Sequence, residues 1–151
     1  MQLRGMPSVN HDQLWGELND IAHPSERPLP DELRSYYVAL YVLMNRLQPT
    51  TVCEIGVRAG YSSYTIMRAC PKATILGIEA NGDESNTDTS GGKLDFYKHA
   101  LETLKAYPFR LMLANSHDIQ RLPFFDMIYV DGDHTYDGCL QDLRLARDAC
   151  R

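Results

Sequence analysis

No two cysteines of this 151-residue chain stand in C-x-x-C spacing: Cys53, Cys70, Cys139 and Cys150 are scattered, and two of them fall inside apolar segments. That excludes the common short-range zinc and redox motifs and reads as buried free thiols in a reducing compartment. Positive charge is scarce too. With 15 Lys and Arg against 20 Asp and Glu, a net charge of -5 and a pI near 5.4, there is no broad basic surface. A nucleic acid partner is therefore not expected, and a small molecule fits better. No apolar run approaches the roughly 18 residues of a membrane helix, and Met1 to Pro7 lacks the apolar stretch of a signal peptide; the expectation is a cytoplasmic protein with no membrane partner. Internal repeats and coiled-coil heptads are absent as well. What remains is an ordinary globular composition, 44% hydrophobic and 23% charged, and a length suited to one domain with a sizeable core.

Along the chain, Asn10 is a cap for a short outer helix carrying Leu14, Trp15, Leu18 and Ile21 on one face, and Ser25 to Pro30 reads as a linker because Pro28 and Pro30 remove donors. Residues 1–29 thus form a helix and linker ahead of a domain over residues 30–151. Leu33, Tyr36, Tyr37, Leu40, Tyr41, Leu43, Met44 and Leu47 recur at helical spacing up to the stop at Pro49, and the tyrosines read as core or interface residues, not substrate contacts. Short apolar runs without alternation come next, at Val52 to Ile55, Thr74 to Ile78, Phe109 to Ala114 and Asp126 to Val130. They are separated by helices: Tyr61 to Cys70, a stretch carrying Leu94, Tyr97, Leu101 and Leu104, and a last one with Leu140, Leu143, Ala146 and Cys150 facing inward after a cap at Asp137 and Gly138. Such runs imply an α/β fold with a parallel sheet covered on both faces. Asn81 to Gly92 is polar and longer than the usual βα loop of about 2 to 6 residues, which suits either disorder or a lid that orders on ligand.

Everything else is arranged around Thr51 to Ser63, which reads as strand, tight turn and helix. Gly56 and Gly60 let backbone approach a ligand and take positive φ, and the helix after them offers free N–H groups. Glu54, at the end of the strand, suits a ligand with a positive charge or several hydroxyls and suits a pyrophosphate badly; the plain alternative is a glycine turn beside a partly solvated acid. A nicotinamide dinucleotide site needs G-x-G-x-x-G, whereas Val57, Arg58 and Ala59 separate the two glycines here. Four strand ends carry polar residues: Glu54, Glu79, Asn115 with Ser116, and Asp131. In an open α/β sheet these ends converge on one crevice.

The run E-I-G-V-R-A-G resembles the E/D-x-G-x-x-x-G motif of class I S-adenosylmethionine-dependent methyltransferases. The run D-x-I-x-x-D-G-D-H-x-Y-x-G from Asp126 to Gly138 resembles methyltransferase family 24, which includes sugar O-methyltransferase relatives. The resemblance spans about residues 33–151 and implies a Rossmann-like sheet of order 3-2-1-4 with helices on both faces. Relatives continue with a G-G turn, a fifth strand and an antiparallel hairpin, so the C-terminal third of that fold is missing. The cofactor implied is S-adenosylmethionine. Gly56 and Gly60 would line its methionine and ribose, Glu54 would lie near its amino group, Glu79 would hold the ribose hydroxyls, and Asn115 and Ser116 would flank the adenine with His117 or Asp118 nearby. Arg58 replaces a glycine common in the superfamily; its side chain points away from the ligand or contacts it.

Asp131, Asp133 and His134 form a second cluster beside the expected transfer site. Asp131 and Asp133 could hold a divalent cation such as Mg²⁺, or Asp131 could orient His134 as the general base; alternatively, Asp133 caps a turn and His134 is structural. The resulting expectation is O-methylation of a small molecule, with metal assistance as an option. A cofactor-binding module without turnover and a nicotinamide-binding oxidoreductase fragment are the rivals. Because Met127 to Val130 is apolar on both faces and carries no charged or proline blocker, self-association through the edge of the fourth strand is expected.

Overall fold

In a computed structural model of the chain, residues 10–80 and 95–150 are described. Helix α1 (His11–Ile21) starts where Asn10 caps it, the side chain accepting from the Gln13 N–H at 3.1 Å. Helix α2 (Glu32–Leu47) ends at Gln48, which takes a left-handed conformation ahead of Pro49. Then strands and helices alternate: β1 (Thr51–Ile55), α3 (Tyr61–Ala69), β2 (Thr74–Glu79), α4 (Phe96–Leu104), β3 (Phe109–Leu113), β4 (Met127–Val130) and α5 (Tyr136–Arg147). All pairings are parallel and the order is β3-β2-β1-β4, as the resemblance implied.

The two faces of β1 separate the core, since successive side chains point to opposite sides. Val52 packs with Leu40, Met44, Ile66 and Met67 under α2 and α3, while Cys53 and Ile55 pack with Ile78, Leu122, Phe125 and Ala149 on the α5 side. Glu54 shares the face of Val52, and so points into α3. A third cluster joins Leu14, Leu18 and Ala22 of the N-terminal segment to Tyr37, Tyr61, Phe96 and Leu104. Each fully buried leucine there contributes about 1.5 to 3 kcal/mol, so α1 is fastened to α2, α3 and α4.

Several sequence expectations need correction. The inward face of α4 is Phe96, Ala100 and Leu104 with Leu101 exposed; Leu94 and the loop Asn81 to Gly92 lie outside the described residues. On α5 the inward residues are Gly138, Asp142 and Ala146, followed by Ala149, whereas Leu143 is 50% exposed and Cys150 is exposed. The reason is a close approach at the start of the helix. A Cβ on Gly138 would stand 2.1 Å from the Asp133 carboxyl, so this contact sets the rotation of α5. Its cap is Thr135, whose Oγ1 accepts from the Gly138 N–H at 3.1 Å, not Asp137. Cys53 and Cys70 are buried as expected, but Cys139 is only half-buried. Among the described residues no helix is long and apolar enough to cross a membrane.

Strand β4 pairs with β1 along its length, and Met127 and Tyr129 face the α2 side while Ile128 and Val130 face α5. All four are half-buried. One carboxylate aligns the starts of the two strands: Oδ2 of Asp126 accepts from the Thr50 N–H (2.9 Å), the Thr50 hydroxyl (2.6 Å) and the Thr51 N–H (3.0 Å). These donors, the Thr50 hydroxyl foremost, hold the Asp126 pKa down to about 2, against about 3.9 when unfolded. A carboxyl depressed on folding stabilises above its unfolded pKa and loses that contribution as pH falls through the folded one. Asp126→Ala should therefore be less stable than wild type at neutral pH, and the gap should close between about pH 4 and pH 2. Urea unfolding across that range measures it, and a gap that persists at pH 2 would show that the ionised carboxylate is not what joins the strands.

Candidate functional site

The carboxyl ends of the four strands open into a cleft of about 830 Å³, lined by Gly56, Arg58, Glu79, Asn115, Ser116, His117, Asp131, Asp133 and His134 among others. That volume lies in the range of small-molecule sites, about 300 to 1,000 Å³. It sits where chain order reverses between β1 and β4, the place an open α/β sheet reserves for ligands.

Gly56 and Gly60 bracket the turn after β1, at φ 88° and 85°. A Cβ on Gly56 would lie 2.1 Å from the carbonyl oxygen of Asp131, so glycine is required by the approach of β4. Gly60 does not line the cleft; a Cβ there would press on Ala100 and Leu104 of α4 at 3.0 and 3.1 Å. Between them the N–H groups of Val57 and Arg58 both donate to Oε2 of Glu79, at 3.0 and 2.7 Å. The acid at the end of β2 thereby fixes the turn at the end of β1. The Arg58 guanidinium turns to Glu26 at 2.5 Å and lies 4.3 Å over the Phe96 ring, while the residue also lines the cleft.

Glu54 is not a partly solvated acid. It is 0% exposed, and its two carboxylate oxygens take the hydroxyls of Ser62 and Ser63 in the first turn of α3. Burial pushes its pKa up to about 7 although both hydroxyls pull it down. It stands behind the cleft wall.

On the other side, the Asp131 N–H donates to the Ile55 carbonyl at 2.8 Å, carrying the strand pairing to the cleft floor. Burial raises the pKa of its carboxyl, with His134 acting against that shift. His134 Nε2 stands 3.8 Å from Asp131 Oδ1 on an 83% exposed side chain, and the Tyr36 hydroxyl donates to Oδ2 at 3.3 Å. Asp133 caps the turn, Oδ1 accepting from the Thr135 N–H at 2.8 Å, and this bond holds its pKa below the usual range. Among the described residues, no group of three or more acids, histidines and cysteines is placed to hold a metal ion. Asn115 accepts from the His117 N–H at 3.0 Å and so starts the 3-10 turn Ser116–Asp118.

Two residues here were not singled out from the sequence. Tyr36, grouped there with the core tyrosines, is 40% exposed and reaches the cleft, while Tyr37 is buried; a helix that enters β1 after one short turn has its first turns over the carboxyl ends of the strands, and that was a usable signal. Asp142 is 0% exposed and accepts from the Ser116 hydroxyl at 2.6 Å. The signal was an acid midway between Gly138 and Ala146 on the buried stripe of α5.

The sheet order, the glycine turn and the acid after β2 together define a class I methyltransferase fold of Rossmann-like type. The model of a methyltransferase-domain family matches residues 53–151, and the chain belongs to that family. Among solved structures, a Klebsiella pneumoniae protein provisionally assigned as an O-methyltransferase is similar at 21% identity and a TM-score of 0.64, over 97% of this chain and 63% of that one. The O-methyltransferase TomG from Streptomyces achromogenes, solved with SAM, is similar at 20% identity and a TM-score of 0.56, over 93% and 63%. The SAH-bound methyltransferase PaMTH1 of Podospora anserina gives 17% and 0.58, over 95% and 58%. This chain thus spans about three-fifths of the length of these neighbours. A search of curated proteins finds no match.

With a folded pKa near 7 against about 4.3 when unfolded, Glu54 gains affinity for its proton on folding. Its contribution is complete below about pH 4 and is lost as pH rises through 7. Relative to wild type, Glu54→Gln should gain on the order of 3 kcal/mol between pH 4 and pH 8, read from urea unfolding at both pH values. Parallel stability curves for the two proteins would mean that Glu54 is already ionised in the folded state.

Proposed function

We propose that this domain binds S-adenosylmethionine in the cleft and transfers its methyl group to an oxygen of a small molecule by direct displacement. The observation that carries the reading is the Glu79 carboxylate, bound through Oε2 to the glycine turn and lining the cleft. A carboxylate so fixed has a second oxygen to offer, and vicinal ribose hydroxyls are the donors that suit it. In this reading Asn115 and Ser116 flank the adenine, Gly56 and Asp131 border the methionine end, and Glu54 and Gly60 support the turn from behind without touching the ligand. The bound cofactor supplies an electrophilic methyl group, and the protein's part is mainly to place the acceptor in line with it. His134, oriented by Asp131, takes the proton from the acceptor hydroxyl.

Mg²⁺ prefers octahedral coordination by oxygen ligands. Asp131 and Asp133 offer two carboxylates, a number that such sites use with waters completing the octahedron, although Oδ1 of Asp133 already accepts from the Thr135 N–H. The acid-rich composition continues to favour a small molecule over nucleic acid, and the thiols a cytoplasmic setting.

Calorimetry with S-adenosylmethionine, S-adenosylhomocysteine and NAD tests the reading. The first two should bind and NAD should not; binding of NAD alone would overturn it, and binding without turnover on any acceptor would favour a cofactor-binding module. Glu79→Gln keeps an oxygen for the Val57 and Arg58 N–H groups while removing the charge, so it should cost about 1.5 to 3 kcal/mol of cofactor affinity. Wild-type affinity in folded Glu79→Gln would move the cofactor elsewhere.

The same reading includes self-association of this chain through the β4 edge, whose half-buried apolar residues pair with β1 alone among the described strands. An interface of at least about 1,000 Å² is the expectation. Sedimentation over a wide concentration range would detect it, and a monomer throughout would rule it out.

A further inference from the structure

Strands β3 and β4 stand at opposite edges of the sheet, so their pairing alone relates the loops after them only through two intervening strands. Yet those loops meet across the cleft. The turn Ser116–Asp118 comes after β3, the Gly132–Asp133 turn comes after β4, and both supply cleft-lining residues. What joins them is the buried carboxylate of Asp142, on α5. Its Oδ1 accepts from the Ser116 hydroxyl at 2.6 Å and lies 3.5 Å from His117 Nε2. Its Oδ2 accepts from the Asp133 N–H at 3.4 Å, and a Cβ on Gly132 would come within 2.9 Å of the same oxygen. One oxygen thus serves each loop.

We propose that Asp142 is a positioning residue that sets the separation of the two loops and, through it, the fit of the cofactor; this rests on the function proposed above. A carboxylate removed from water costs several kcal/mol unless donors surround it, and an apolar side chain would fill the same place on α5 without that cost. The acid is explained by what it holds. A neutral filler could occupy the volume but could not fix two turns at hydrogen-bonding distance from one group. The arrangement also stands one bond short of complete: His117 Nε2 is buried and has no hydrogen-bond partner among the described residues, while an ordinary N–H···O distance is about 2.9 Å. Settling of the Ser116–Asp118 turn onto a bound base brings that nitrogen onto Asp142.

The test uses the whole chain, S-adenosylhomocysteine as the probe, and Asp142→Asn. The amide oxygen can still accept from Ser116, but the amide nitrogen then faces the Asp133 N–H, so one of the two ties is lost while the volume is kept. Folded Asp142→Asn should bind about tenfold more weakly, the scale of one charge-assisted hydrogen bond, measured well below its thermal midpoint. In wild type, addition of the probe should shift the His117 Nε2 proton resonance downfield and slow its exchange. Unchanged affinity in folded Asp142→Asn, or a His117 resonance that ignores the probe while wild type binds it, would overturn the inference. If Asp142→Asn does not fold, the His117 resonance decides alone. Failure of wild type to bind the probe at all would instead remove the proposed function, and this inference with it.

Discussion

The absence of a side chain at residue 56 lets the ends of β1 and β4 close on each other. With a Cβ there, the carbonyl of Asp131 would have to retreat from 2.1 Å to beyond 3 Å, and the Asp131 N–H would be drawn off the Ile55 carbonyl that it meets at 2.8 Å. The position of the cleft floor depends on this contact. So does the rotation of α5, because Gly132 and Asp133 come directly after Asp131, and Asp133 packs on Gly138 at the start of that helix. Two close approaches of glycine to neighbouring chain, at residues 56 and 138, thus carry the geometry of β1 through β4 into the last helix.

Around this frame the protein uses carboxylates as fixed acceptors for loops. Glu79 collects two N–H groups of the glycine turn, Asp142 collects the turns after β3 and β4, and Glu54 collects two hydroxyls of α3. Burial decides how each choice is reflected in acidity. Asp126, exposed and surrounded by donors from Thr50 and Thr51, is pulled down to about 2, whereas desolvation outweighs the two hydroxyls at Glu54 and carries it up to about 7. The same functional group, with donors of similar number, shifts in opposite directions because only one of the two loses its water.

The parts of this architecture that are local in the chain were readable in it. Apolar runs without alternation announced the strands, although only β1 is buried nearly throughout and Met112 and Leu113 of the edge strand β3 are exposed; Asn10 announced the cap of α1, and Gly56 with Gly60 announced the turn, but not that Glu79 would accept from its N–H groups. What could not be read were consequences of packing between distant segments. The leucines of α5 suggested an inward face through Leu140 and Leu143, but the contact of Gly138 with Asp133 turns the helix so that Asp142 points inward and Leu143 outward. Glu54 looked like a ligand contact from its place at a strand end, yet strand alternation sends it to the face of Val52, under α3. Tyr36 and Tyr37 are neighbours of one residue type; only the seating of α2 over β1 and β4 buries one and brings the other to Asp131.

The N-terminal segment illustrates how such packing changes the meaning of a sequence feature. Arg58 holds φ 49°, a left-handed conformation that costs a residue with a Cβ about 1 to 2 kcal/mol, in the middle of the turn that meets Glu79. Its guanidinium is held from outside: Glu26 pairs with it and Phe96 lies beneath it. Glu26 is itself placed by the Tyr61 hydroxyl at 2.7 Å, and that hydroxyl accepts from the His23 N–H at 2.8 Å. The stretch that reads as a linker therefore reaches the first residue of α3 and the strained residue of the turn together. An ion pair with an exposed partner such as Arg58 adds little stability by itself, but here Glu26 is half-buried, both partners are constrained by aromatic neighbours, and the pair acts at the point where the backbone is least comfortable. The conformation that presents two N–H groups to Glu79 is thus sustained from residues 23–26 as much as from the glycines on either side of it.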